Sequence, residues 1–268
     1  MHKFKKQFGQ NFLRSNRFPQ KMVDYLDINE EDTIIEVGPG EGILTNLLIR
    51  TGAKVVSIEI DYTLLPKLIK RFNEEKNFKL INEDFLAVNL SELLDKLDGA
   101  TSIKFTGSLP YNISKKIILK ILRFNFEQTK FRVKKMSFIV QEEVAADYAS
   151  KPPKASLLSN LTNLYAIIKK QESIPKSQFF PVPQVNGGIL SLEPRELINK
   201  DYQEIEKMMK IAYVSPRKIL SNNLRSSQKW PNANIIEILA SVGLGEKARP
   251  SEVPLEMWRD IYARLINS

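Results

Sequence analysis

The chain has 268 residues, with 40 Lys and Arg against 31 Asp and Glu, which gives a formal net charge of +9. It contains no cysteine, which excludes disulfides, thiolate metal sites and cysteine nucleophiles, and its one histidine is His2. Serine–histidine triads and histidine metal sites are therefore not expected, and the basic charge favours a polyanionic partner.

No targeting or membrane segment is expected from the sequence. No stretch reaches the roughly 18 apolar residues of a membrane span, and the basic N-terminal segment is not followed by the apolar run of a secretory signal. The sequence therefore predicts a cytoplasmic protein without membrane contact.

Short β-rich apolar runs alternate with helical patterns along the first part of the chain. Strands are predicted at 33–37, 54–58, 78–81, 102–106 and 136–140, with helical patterns at 43–51, 62–75 and 114–124. Two more strand-like runs, 163–171 and 187–193, are expected to form an antiparallel hairpin joined by a loop at 179–184. The alternation predicts an α/β fold with a seven-stranded sheet that is parallel apart from this hairpin.

The pattern changes after Pro194, where the strand-like runs end. Four amphipathic helices are predicted, at 201–213, 216–226, 234–242 and 254–266. The sequence therefore predicts two domains, an α/β domain at 1–195 and a small all-helical domain at 196–268.

The charge is distributed in blocks. Residues 1–21 carry six Lys and Arg and no acid, residues 31–100 have a net charge of −5, and residues 115–135 have a net charge of +7. Clustered cations on both sides of an acidic module favour a nucleic-acid surface, because attraction to phosphates needs clustered positive charge. In the third block, the candidates for RNA contact are Lys115, Lys116, Lys120 and Arg123.

A glycine-rich turn, Glu36–Gly42 (EVGPGEG), directly follows the first predicted strand. Gly38 and Gly40 would let the backbone approach a bound ligand. Glu59 ends the second strand, where an acid can accept hydrogen bonds from ribose hydroxyls. Asp84 follows the third strand and can accept from an adenine amino group. The pattern indicates a nucleoside-containing cofactor, with purely structural glycines as the alternative.

The ladder of acids favours S-adenosylmethionine over NAD. The NAD fingerprint requires glycine at position 43, where this chain has Ile43. Three acids, Glu36, Glu59 and Asp84, end neighbouring strands, and an acidic pocket suits a positively charged sulfonium. Another nucleotide remains an alternative at this point.

The segment 107–114 (GSLPYNIS) ends the fourth strand and suits methylation of an adenine amino group. The Ser108 hydroxyl and a backbone carbonyl of Ser108-Leu109 can accept the two N–H bonds, while Pro110 shapes the turn and Tyr111 can stack on the base. Such a reaction needs positioning rather than a strong base. A structural proline turn with a packed tyrosine is the alternative.

With these motifs together, the sequence resembles the ribosomal RNA adenine N6-dimethyltransferase family, most closely its small-subunit branch. The resemblance covers essentially the whole chain. Besides the turn at 36–42, it rests on 10–13 (QNFL), 58–61 (IEID), 83–84 (ED), 109–114 (LPYNIS), 141–144 (QEEV), 179–185 (FFPVPQV), Arg217-Lys218 and Asn223-Leu224.

The resemblance implies a Rossmann-like S-adenosylmethionine-dependent methyltransferase fold and a role for each matching residue. Asn11 and Leu13 would close over the methionine end of the cofactor, against Gly38 and the Gly40 turn. Glu59 would hold the ribose and Asp84 the adenine. Position 108 would touch both cofactor and target amine. The family usually has Asn at this position, and Ser108 keeps one acceptor on a shorter side chain.

The implied reaction places two methyl groups on each of two adjacent adenosines in the 3′-terminal hairpin of small-subunit (16S) rRNA. The substrate would be a partly assembled small subunit, the pre-30S particle, with Arg217 and Lys218 of the helical domain among the RNA contacts. A monomer without a metal ion is expected.

Two further functions are alternatives. A large-subunit (23S) rRNA adenine methyltransferase that confers macrolide resistance shares the fold, but residues 217–220 and Asn223-Leu224 resemble the small-subunit branch. A catalytically weakened rRNA-binding assembly factor is suggested by Ser108 alone. Binding of the methyl donor would separate this factor from an enzyme.

Overall fold

The computed structural model describes residues 11–97, 101–110, 113–127, 130–196 and 201–268. These residues form two compact units. One unit holds the described residues up to Ala145 together with Ile167–Pro194, and the other holds Ala146–Ala166 with the described residues from Arg195 onward.

The first unit contains the predicted α/β sheet. Its strands are β1 (Phe12–Leu13), β2 (Thr33–Val37), β3 (Lys54–Glu59), β4 (Phe78–Asn82), β5 (Ser102–Ser108), β6 (Arg132–Gln141), β7 (Ala166–Ile174), β8 (Phe179–Phe180) and β9 (Gly187–Pro194). Its helices are α1 (Arg17–Leu26), α2 (Ile43–Ile49), α3 (Leu65–Phe72), α4 (Leu90–Asp95), α5 (Ser114–Glu127) and α6 (Glu142–Tyr148), which continues into the second unit.

Seven strands form one sheet in the order β4-β3-β2-β5-β6-β9-β7. From β4 to β6 in this order, each strand pairs in parallel with the next. Strand β9 pairs antiparallel with β6. All five residues of β2 are buried, as expected for a parallel strand covered on both faces. The predicted fold class, with seven strands in an α/β sheet, is confirmed.

The register aligns the carboxyl ends of the central strands. Glu36 of β2 pairs with Ser57 of β3 and with Thr106 of β5, and Glu59 pairs with Asn82 of β4. Side chains that follow these strands therefore meet at one edge of the sheet, which is where ligands bind in open α/β folds.

Two predicted elements need correction. The strand predicted at 163–171 begins at Ala166, because the residues before it belong to a helix whose start is fixed by a capping box between Ser156 and Ser159. The predicted loop at 179–184 begins with strand β8, which pairs antiparallel with β1 in a separate two-stranded sheet.

Helix α1 anchors the segment that precedes it. Phe18, Met22 and Leu26 recur every four residues and are buried on one face of the helix. They belong to the same core cluster as Leu48 of α2 and Val55 of β3. The chain just before α1, which includes β1, is thereby held close to the sheet.

The second unit is a helical bundle. Its helices are α7 (Leu157–Tyr165), α8 (Tyr202–Ala212), α9 (Leu220–Ser226), α10 (Ile235–Ser241) and α11 (Leu255–Ile266). Trp258 of α11 is completely buried, and the Tyr165 hydroxyl of α7 donates to Glu206 of α8 over 2.6 Å. The predicted domains, 1–195 and 196–268, therefore differ from the structure at Ala146–Ala166, because α7 packs against α8 and α11. Within the described part of the chain, no helix has both the length and the apolar character needed to cross a bilayer.

Candidate active site

A cleft opens at the carboxyl ends of the parallel strands. Its atom-free space, counting the part open to solvent, is about 1230 Å³. The predicted site residues that line it are Asn11, Leu13, Gly38, Gly40, Glu59, Asp84, Ser108, Leu109 and Pro110. Tyr111 lies outside the described residues.

The glycine-rich turn bounds the cleft after β2. Gly38 has φ of +70°, and a Cβ added there would meet no atom within 4 Å, so its backbone faces open space. Gly40 has φ of +57°, and a Cβ there would lie 2.7 Å from Cε1 of Phe12. Both positions thus favour glycine by conformation, and Gly40 also by close packing against β1.

Glu59 is buried at the end of β3 and oriented by two backbone amides. Its Oε2 accepts from the Gly40 N–H over 3.2 Å, and its Oε1 accepts from the Asp61 N–H over 2.8 Å. Burial raises the pKa of Glu59. A carboxylate has about four lone-pair sites, so these two bonds fix its direction and leave capacity to accept from a ligand.

Glu36 lies at the floor of the cleft and is 1% exposed. Its Oε2 accepts from the hydroxyls of Thr45, over 2.7 Å, and Ser57, over 2.5 Å. Burial, with a smaller contribution from Glu59, raises the pKa of Glu36 to about 7. Sequence reasoning missed the two hydroxyl residues, although a serine in the apolar run of β3 was an available signal.

Asp84 begins a single helical turn after β4. Its carbonyl accepts from the N–H groups of Ala87 and Val88, and its Oδ1 accepts from the Leu86 N–H over 2.9 Å. The next residue, Phe85, is buried and packs edge-on against Phe105 of β5. The turn thereby presents an exposed carboxylate at the rim of the cleft.

The structure corrects the interpretation of Lys120 as an RNA contact. Its ammonium donates to the carbonyls of Phe85, Leu86 and Val88 over 2.8, 2.8 and 2.6 Å. An ammonium has three N–H donors, so these bonds use its full capacity. No sequence pattern indicates these bonds, because the partners are backbone atoms of a turn more than thirty residues away.

The chain turns sharply after β5. Ser108 pairs with Ile139 of β6, and the Leu109 N–H donates to the Ile139 carbonyl over 2.9 Å. The Pro110 carbonyl then accepts from the N–H groups of Ile113 and Ser114, which leads into α5. Ser108, Leu109 and Pro110 are thus held at the cleft by the end of a strand and the start of a helix.

The two-stranded sheet brings the N-terminal segment to the cleft. Phe12 pairs with Phe180, and Leu13 pairs with Phe179. Phe179 is 1% exposed and lines the cleft beside Phe12 and Leu13. Neither the predicted loop at 179–184 nor the family motif at 179–185 indicated this packing.

The lining of the cleft is acidic. Among the described residues it includes five acids and no Lys or Arg, and the acids are Glu36, Glu41, Glu59, Glu83 and Asp84. In the described ranges, no three His, Asp or Glu side chains are grouped to hold a metal ion. An acidic cleft of this kind favours a ligand that carries positive charge.

The other predicted RNA contacts lie on helices and connections outside the cleft. Lys115 and Lys116 are exposed in the first turn of α5, and Arg123 is half-buried farther along. In the second unit, Arg217 and Lys218 are exposed between α8 and α9.

Gly40→Ala is expected to lower the free energy of unfolding by about 1–2 kcal/mol, because alanine disfavours the left-handed backbone conformation at this position. The clash of its Cβ with the Phe12 ring is expected to lower the free energy of unfolding further. Urea unfolding measures this cost in the wild-type chain and in a Phe12→Ala background. The added cost is expected to disappear when the ring is absent. An equal cost in both backgrounds would contradict the packing between Gly40 and Phe12.

Glu36→Gln is expected to change the pH dependence of stability. Because the folded-state pKa of about 7 lies above the ordinary 4.5, the folded chain holds an extra proton between these values. Stability therefore falls as pH rises through this window, by about 3 kcal/mol for this group, and Glu36→Gln loses that part of the decline. Urea unfolding across the window checks this, with exposed Glu74→Gln as the control. Parallel curves for wild type and Glu36→Gln would refute it.

Comparison with known proteins shows which family the chain resembles. A family model described as ribosomal RNA adenine dimethylase matches residues 1–266. The ribosomal RNA small subunit methyltransferase A of Mycoplasma mobile is 32% identical over 267 residues, which cover 98% of this chain and 99% of that protein.

Two solved structures share the fold over nearly the whole chain. A dimethyladenosine transferase from Plasmodium falciparum has a TM-score of 0.78 at 19% identity, covering 96% of this chain and 98% of that one. The 23S rRNA methyltransferase ErmE has a TM-score of 0.75 at 24% identity, covering 96% of this chain and all of that one. With the family model matching almost every residue, the predicted resemblance is confirmed: the chain belongs to the ribosomal RNA adenine dimethylase family.

Proposed function

We propose that this protein transfers methyl groups from S-adenosylmethionine to the N6 atoms of two adjacent adenosines in the 3′-terminal hairpin of small-subunit rRNA. Two methyl groups are placed on each adenosine, and the substrate is the partly assembled pre-30S particle. The observation that carries the proposal is one acidic cleft in which Glu59, Asp84 and Ser108 converge from the ends of β3, β4 and β5.

The residues around the cleft fit the proposed cofactor. The open backbone side of Gly38 leaves room for its methionine end, over which Asn11 and Leu13 would close. Glu59, held by two backbone amides, would accept from the ribose hydroxyls. Asp84, held by the Leu86 N–H, would accept from the adenine amino group. When bound, this cofactor supplies an electrophilic methyl group on a positively charged sulfur.

The segment after β5 is suited to hold the target adenine. The Ser108 hydroxyl and the Leu109 carbonyl would accept the two N–H bonds of the exocyclic amine and turn its lone pair toward the methyl group. These acceptors would hold the amine for attack on the methyl group that the bound cofactor supplies, with the sulfur as the leaving group. The amino proton, made acidic by methylation, would leave to water. Tyr111 would stack on the base and fix its orientation. No residue is required to act as a strong base.

The names of the relatives and their sequence identity to this chain favour the small-subunit substrate over the large-subunit alternative. The relative from Mycoplasma mobile is named as a small-subunit enzyme and matches at 32% identity over nearly the full chain, whereas ErmE matches at 24%. We propose that Lys115, Lys116, Arg123, Arg217 and Lys218 contact rRNA, since clustered cations bind phosphates irrespective of sequence. The protein would act as a monomer beside the assembling ribosome in the cytoplasm.

The test is methylation of small subunits purified from cells that lack this protein. With S-adenosylmethionine and the purified chain, two adjacent adenosines of the 3′-terminal hairpin are expected to become dimethylated, as mapped by primer extension. In a parallel reaction with large-subunit rRNA, modification there and none in the small subunits would favour the alternative enzyme. Absence of both donor binding and methylation would favour the binding factor.

Glu59→Ala is expected to weaken binding of S-adenosylmethionine by about 1–3 kcal/mol, because a charged acceptor for hydroxyl groups is lost. Isothermal titration calorimetry measures the affinity, and exposed Glu74→Ala is the matched control. Thermal unfolding of each variant checks that the chain still folds. If folded Glu59→Ala binds with wild-type affinity, this carboxylate does not hold the ribose.

Ser108→Ala is expected to lower kcat about tenfold, since one hydrogen bond to the reacting amine is lost. Ser108→Asn is expected to keep activity, because the carboxamide oxygen supplies an acceptor at the same position. Single-turnover methylation with each variant distinguishes them. An unchanged rate in Ser108→Ala would show that this hydroxyl does not act on the target amine.

A further inference from the structure

Three backbone carbonyls converge on one lysine beside the cleft. The Lys120 ammonium donates to the carbonyls of Phe85, Leu86 and Val88 at 2.6–2.8 Å. The ammonium also lies 5.5 Å from the centroid of the Phe85 ring. With all three N–H donors directed at backbone oxygens, this side chain has no donor left for a phosphate.

The carbonyls belong to the turn that forms the adenine side of the proposed cofactor site. Asp84 starts this turn, and its side chain is tied to the Leu86 N–H in the middle of it. Asp84 and Phe85 both line the cleft, and so does Ile117, which lies one helical turn before Lys120 on α5. The lysine therefore braces the turn from the helix that forms another wall of the cleft.

The same helix begins at the segment proposed to hold the target base. The N–H of Ser114, the first residue of α5, donates to the carbonyl of Pro110 over 3.0 Å. Lys120 thus connects this helix, whose start is fixed by the Ser108–Pro110 segment, to the turn that carries Asp84. A displacement of the lysine would move the Asp84 turn relative to the target segment.

Ordering and desolvating the Lys120 side chain costs free energy, which its bonds to the turn offset. Fixing a lysine side chain costs rotamer entropy. Desolvation of the ammonium lowers the Lys120 pKa, while the carboxylates of Asp84 and Glu83 act in the opposite direction. Charge-assisted hydrogen bonds to three carbonyls offset these costs. An apolar side chain of the same length would leave these carbonyls without their ammonium donor and the turn unbraced.

We propose that Lys120 is a positioning residue that sets the Asp84 turn and so gives the site its selectivity for a 6-amino purine in the cofactor. This inference rests on the proposed function, since it takes the ligand to be S-adenosylmethionine or its product. It assigns Lys120 to cofactor selection through Asp84, with no direct contact to the cofactor or to RNA.

The experiment measures selectivity on the full chain. Calorimetry compares S-adenosylhomocysteine with its inosine counterpart, in which an oxo group replaces the 6-amino group. The wild-type chain is expected to prefer the adenosine compound by about tenfold or more, since the amino donor faces a charged acceptor. Lys120→Met is expected to lose most of this preference through weaker binding of the adenosine compound.

Two further variants make the outcome specific. Lys120→Arg keeps the charge and is expected to show a preference between those of the wild-type chain and Lys120→Met. This variant tests the proposal if Lys120→Met does not fold. Lys70→Met removes an exposed lysine on α3 and is expected to keep the wild-type preference. In an Asp84→Ala background, Lys120→Met is expected to lower the preference no further, because both changes act on the same hydrogen bond.

Wild-type preference in a folded Lys120→Met or unchanged preference in Lys120→Arg would overturn the positioning role, as would equal binding of the two compounds by the wild-type chain. Absence of any binding of S-adenosylhomocysteine to the wild-type chain would overturn the proposed cofactor itself.

Discussion

The parallel ladder around β2 is the constraint on which the site depends. Because β3 and β5 pair with β2 in parallel, their carboxyl ends stop at the same edge, and every group that follows a strand is delivered there. The residues that line the cleft come from several strands and the segments that follow them. The residues proposed to hold the cofactor follow β2, β3 and β4, and the segment proposed to hold the target follows β5. The two sets would meet because these strands are neighbours.

The cleft keeps buried carboxylates at a cost to stability. Glu36 and Glu59 are both almost fully buried, and burial raises the pKa of each. Hydroxyls hold Glu36 and backbone amides hold Glu59, so neither carboxylate is free to rotate. A site of this kind trades folding free energy for fixed acceptors and a negative potential, both of which suit a positively charged nucleoside.

The site is braced by contacts between segments far apart in the chain. The ring of Phe12 packs against Gly40 and is held by pairing of β1 with β8, which lies well over a hundred residues later. Lys120 braces the Asp84 turn from α5 in the same manner. The glycine at position 40 and the lysine at position 120 therefore act through their partners rather than through direct chemistry alone.

The sequence by itself determined the alternation of strands and helices, the position of Glu59 and Asp84 at strand ends, and the family. These features depend on local periodicity and short motifs. Only the tertiary structure decided that Lys120 binds backbone carbonyls, that Ser57 and Thr45 hold Glu36, and that α7 packs with the second unit. These features depend on backbone atoms or on side chains distant in the chain. Backbone partners carry no residue-type signal, and a serine in the apolar run of β3 indicates a polar contact there without identifying its partner.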